Sequence, residues 1–114
     1  MTVPPHSPFL IDRSNTPRLA TTDPTALTVY LSTDLYGDML STVLLHELGH
    51  CAIFSYDLLD DIHSAVLPQH WEEAEEWVCN FIADYGRDIF RNAYSVLGNE
   101  AFVVVPYTID KKVS

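Results

Sequence analysis

His46 and His50 stand in the run Val43-Leu44-Leu45-His46-Glu47-Leu48-Gly49-His50-Cys51-Ala52, where Glu47 is the only charged residue and no proline intervenes. So apolar a stretch must pack against the rest of the chain, and its continuity predicts a helix. At about 3.6 residues per turn, positions i and i+4 of a helix project from one face. Two neutral imidazoles so placed can both reach one Zn²⁺. Glu47, beside the first of them, is placed to take a proton from a water in the metal's open position. Gly49 lets another backbone approach closely. The bare five-residue pattern also fits an amphipathic helix with two surface histidines, and the apolar flanks favour the metal.

At 114 residues the chain has room for one domain with one modest core. Its formal net charge of −10 and only six Lys and Arg argue against nucleic acid as a direct partner, because phosphate binding needs clustered cations. No stretch is long enough to span a membrane. The start, Met1-Thr2-Val3-Pro4-Pro5, lacks the basic and apolar regions of a signal peptide. Cys51 and Cys79 both fall in apolar helical patterns and read as buried free thiols rather than a disulfide framework. A cytoplasmic location is the expectation.

Residues 1–25 carry Pro4, Pro5, Pro8, Pro17 and Pro24 and read as largely irregular. Leu27–Ser32 alternates and is partly β-branched, as a strand does. A helix is expected from Leu35 to Tyr56, with N-cap candidates between Ser32 and Asp34. Asp57 to Gln69 reads as a loop. Trp71, Ala74, Trp77, Val78, Phe81, Ile82, Tyr85 and Ile89 follow helical spacing and predict a second helix from His70 to Ala93. Gly98-Asn99 reads as a turn, Ala101–Val105 as a second β run ended by Pro106, and the tail after Ile109 as frayed. The expected architecture is α+β: a single domain over residues 1–114, with two helices and a short sheet.

Two histidines leave a zinc site one protein ligand short of the usual catalytic three. A third histidine six residues after His50 is excluded, since Tyr56 stands there. The second helix begins with Glu72, Glu73, Glu75 and Glu76. If Ala74, Val78, Phe81, Tyr85 and Ile89 form its buried face, Glu75 lies about 80° from the centre of that face and Glu73 about 120°. Glu72 lies slightly farther, and Glu76 points straight out. Glu75 is therefore the leading third ligand and Glu73 the second choice, with Glu72 and Glu76 in solvent. Helix N-terminal acidity favoured by the macrodipole explains part of this cluster without any metal. Tyr56, His63 and His70 are candidate hydrogen-bond donors to a developing oxyanion.

The order of strand, His-Glu-Leu-Gly-His helix and Glu-bearing helix resembles the ImmA/IrrE family of zinc metallopeptidases, itself similar to the gluzincins. The family's second motif, roughly Glu-x-x-Ala-Asn-x-Phe-Ala, is similar to Glu75-Glu76-Trp77-Val78-Cys79-Asn80-Phe81-Ile82-Ala83 here, and the resemblance covers roughly residues 27–85. This chain departs from the pattern at Val78, Cys79 and Ile82, and has Tyr85-Gly86-Arg87-Asp88 where the family often has Met-Pro. The resemblance implies a zincin-like domain in which His46, His50 and Glu75 bind zinc and Glu47 is the general base. It implies hydrolysis of a protein or peptide substrate, such as a repressor of a phage or mobile element. The second expectation is a non-catalytic, zinc-stabilised interaction module.

Overall fold

The computed structural model describes residues 1–12 and 14–102. Its strands β1 (Thr2–Val3), β2 (Ala20–Asp23) and β3 (Thr28–Ser32) form one sheet in the order β1-β3-β2. β1 runs parallel to β3 and β2 antiparallel to it. The α-helices are α1 (Gly37–Ser55), α2 (Leu59–Ala65) and α3 (Trp71–Leu97), with 3₁₀ turns at Pro8–Leu10, Pro68–His70 and Gly98–Phe102. This is the mixed α+β architecture expected. No helix among the described residues is long and apolar enough to cross a membrane.

Several elements differ from the sequence expectation. The first 25 residues are irregular over most of their length, yet they supply two of the three strands. β3 is central, and β2 forms one edge of the sheet. The β2–β3 connection is set by Asp23, whose Oδ1 accepts hydrogen bonds from Thr25 N at 2.9 Å and Ala26 N at 3.1 Å. Asp side chains favour turns in this way. The segment expected as a loop contains α2, which is short and has Asp60 and Asp61 in its first turn. α1 begins at Gly37, whose φ of +62° suits glycine. Ala101 and Phe102 belong to the last 3₁₀ turn rather than to a strand. The remainder of that β run and the tail after Ile109 lie outside the described residues.

One face of the sheet packs on α1. Ala20, Leu31 and Leu35 are buried together, with Val29, Leu40, Val43 and Leu44 against them. Ala20 pairs with Leu31, and Thr22 with Val29. Side chains two apart on a strand share a face, so Thr22 points towards α1 as Ala20 does.

α1 and α3 run antiparallel: Arg87 Nη2 donates to Thr42 Oγ1 at 3.1 Å near one end, and Glu75 meets His50 towards the other. They come close at Gly49, where an added Cβ would lie 3.2 Å from Cys79 Sγ and 3.4 Å from Cys79 Cα. Cys79 is 0% exposed and Ala83 is also buried. Of the face of α3 expected to be buried, Ala74 and Val78 are half-buried, while Phe81, Tyr85 and Ile89 are exposed, Tyr85 at 58%. Size explains the rotation: helices this close accept only small side chains between them, so Cys79 and Ala83 face α1. Trp77 and Phe81, each about 160° from Cys79, stack on one another at 5.6 Å on the outside. Overpacking a dense contact costs about 1–3 kcal/mol. Gly49→Val is therefore expected to lower the thermal unfolding midpoint by about 5 °C or more; an unchanged midpoint would contradict the close approach.

Candidate metal centre

The rotation of α3 decides which carboxylates meet the histidines. Measured from Cys79, Glu75 lies about 40° to one side and Glu76 about 60° to the other. Both therefore flank the α1 contact. His46 Nε2 and His50 Nε2 lie 3.2 Å apart. Glu76 Oε2 is 3.1 Å from His46 Nε2, and Glu76 Oε1 is 3.2 Å from His50 Nε2. A tetrahedral zinc with bonds of about 2.0–2.1 Å has donor-to-donor edges of about 3.3–3.4 Å. The observed separations are close to those edges. His46, His50 and Glu76 thus form a cluster that can hold a metal ion, with donor atoms all within 4.8 Å of one another.

Glu75, the leading third ligand on sequence grounds, takes a different place. Its Oε2 lies 2.5 Å from Nδ1 of His50, on the far side of the ring from the converging Nε2 atoms. A carboxylate there holds the proton on Nδ1 and leaves Nε2 for a metal, an arrangement common among metal-ligating histidines. Glu76, expected in solvent, is turned inward and half-buried. Glu73, the second choice, pairs with His70 at 3.2 Å on the surface. The reason is the same in each case: the buried face is centred on Cys79 and not on the large apolar residues.

The cluster is strongly polarised. Hydrogen bonds from His46 and His50 hold the Glu76 carboxyl well below the usual carboxylate range. The bond to Glu76 raises His46 against the opposing effect of burial. For His50 burial is the largest influence and acts downward, but bonds to Cys79, Glu75 and Glu76 outweigh it and push the group up to about 12. A histidine whose folded value exceeds 6.5 contributes stability that is full below pH 6.5 and is lost as pH rises towards the folded value. A carboxylate lowered from 4.5 contributes above pH 4.5 and loses this as pH falls towards its folded value.

The metal-free protein is therefore expected to draw most stability from this cluster between pH 4.5 and 6.5 and to weaken towards alkaline pH. The metal-loaded protein should strengthen over the same rise, because protons then cease to compete for the ligands. Thermal unfolding with and without chelator, scanned across pH, checks this; parallel slopes would contradict it.

Glu47, the candidate general base, is 9% exposed. Thr22 of β2 donates a hydrogen bond to its Oε2. Just upstream, Arg18 Nε is bound to Asp12 Oδ2 at 2.6 Å. The Arg18 guanidinium is raised first by that bond and by the charge of Asp12, then by the more distant charges of Glu76 and Glu47. Sequence pattern does not mark Thr22, because the proline-rich opening segment shows no strand; Thr21-Thr22, a β-branched pair before Asp23-Pro24, is the signal it offers.

The candidate oxyanion donors have other surroundings. His63 stacks on Trp71 at 4.3 Å, and Trp71 Nε1 donates to the His63 carbonyl at 3.0 Å. His70 precedes α3 without a side-chain capping bond, and Tyr56 follows the end of α1, largely exposed. Cys51 and Cys79 are free, the first half-buried and the second buried. No family model, no curated protein and no solved structure matches the chain.

Proposed function

We propose that the protein is a zinc-dependent peptidase in which His46, His50 and Glu76 hold the metal and Glu47 is the general base. The observation that carries this reading is the convergence of two imidazole Nε2 atoms on both oxygens of one carboxylate, on a helix that bears Glu47 beside the first histidine. Two nitrogens and a carboxylate are a donor set that zinc accepts while keeping a fourth position open. When bound there, zinc would polarise a carbonyl and lower the pKa of a water to about 7. Glu47 would take the proton of the attacking water and pass it to the leaving amine as the peptide bond breaks. Glu75 would orient His50.

The edge strand supports a peptide substrate. Ser32 N donates to Leu19 O at 2.9 Å, which with the Ala20–Leu31 register turns the backbone polar groups of Thr22 away from β3 and towards the edge of β2 that no strand pairs among the described residues. An extended peptide added there would lie beside Glu47. β3 itself is interior to the sheet, paired on both sides, and cannot take a peptide in this way.

Incubating the zinc-loaded protein with a library of quenched-fluorescent peptides tests the proposal. Cleavage should appear, vanish with chelator and return with zinc. Cleavage indifferent to chelator, or none in the loaded protein, would contradict it.

A further inference from the structure

Glu47 does not reach its place unaided. The residue is buried, and a buried polar side chain needs hydrogen-bond partners. The donor is Thr22, whose Oγ1 binds Glu47 Oε2 and also lies 3.3 Å from the Glu47 carbonyl oxygen. A hydroxyl has one proton to give, and the nearer carboxylate oxygen takes it. Thr22 is fixed in turn by the β2–β3 ladder, where it pairs with Val29. Its methyl and hydroxyl branches make the side chain stiff about its first torsion. The carboxylate is thus tied to the sheet as well as to its own helix.

We propose that Thr22 is a positioning residue for Glu47: its hydroxyl holds Oε2 so that Oε1 is left to accept the proton of the attacking water. This rests on the peptidase reading above and adds a dependence of that site on the edge strand. It couples substrate alignment to base alignment, because the residue that turns its backbone to that edge of β2 is also the one that holds the base.

Two readouts test it. In the metal-free protein, a double-mutant cycle of Thr22→Val and Glu47→Ala measures the bond without any substrate. Thr22→Val should lower the unfolding midpoint by about 5 °C in the wild-type background and have little effect in the Glu47→Ala background. Additive shifts would overturn the proposal. In the zinc-loaded protein, the best-cleaved member of the peptide library gives kcat and KM. Thr22→Val should lower kcat about 10- to 100-fold with KM and zinc content unchanged, and Thr22→Ser should restore most of it. Equal losses in the Ser and Val variants, or a full rate in Thr22→Val, would overturn it. If wild type and Glu47→Gln are equally inactive on every peptide, the peptidase reading itself falls and the positioning role falls with it, whatever the cycle gives.

Discussion

Glu76→Gln is expected to weaken zinc binding at least about 100-fold, and Glu75→Gln by about 10-fold. The difference follows from where each carboxylate sits. Glu76 presents both oxygens to the converging Nε2 atoms, so its loss would remove one of the three proposed ligands. Apparent zinc affinities of about 10–16 kcal/mol shared among four ligands give roughly 3 kcal/mol for each, or about two orders of magnitude. Glu75 touches only His50 Nδ1, and glutamine in its place keeps an oxygen able to accept that hydrogen bond. Competition titration against a chromophoric chelator reads both constants. The reverse order would make Glu75 the ligand and Glu76 the outer group. Neither replacement should disturb the fold much, since both residues lie at the rim of the α1–α3 contact and not at Cys79.

Glu47→Gln is expected to lower peptide turnover by about 10²- to 10⁴-fold, the usual contribution of a positioned general base. The amide keeps the side chain's size and can still accept from Thr22, but it cannot take a proton. Zinc content should therefore stay at the wild-type level, and the folded structure with it. Steady-state rates on one cleaved peptide, with metal content measured on the same samples, separate chemistry from binding. A variant that retains the full rate would remove Glu47 from the mechanism. A variant that loses its zinc would make the residue's role structural.

The helical histidine pair was legible because it depends on local spacing alone. An apolar run with His46 and His50 on one face needs no tertiary information. The α+β composition was legible for the same reason, from β3 and two long periodic segments. The rotation of α3 was not. Sequence periodicity marks where the largest apolar side chains gather, and on α3 they gather at Trp77, Phe81 and Tyr85. Packing at close range selects by size instead, and Gly49 opposite Cys79 fixes the contact. That single fact moved the third ligand candidate from Glu75 to Glu76. The opening strands were hidden for different reasons: β1 is two residues long and pairs with β3 far along the chain, and β2 is a short hairpin partner of β3 in a proline-rich segment that shows no strand pattern.

The metal site is the premise on which every other role rests, and anomalous diffraction at the zinc edge from zinc-loaded crystals tests it most directly. One peak is predicted, about 2.0–2.2 Å from His46 Nε2, His50 Nε2 and a Glu76 carboxylate oxygen, with Glu75 still on His50 Nδ1. No peak, or a peak held by Glu75 or by His70 and Glu73, would contradict the account.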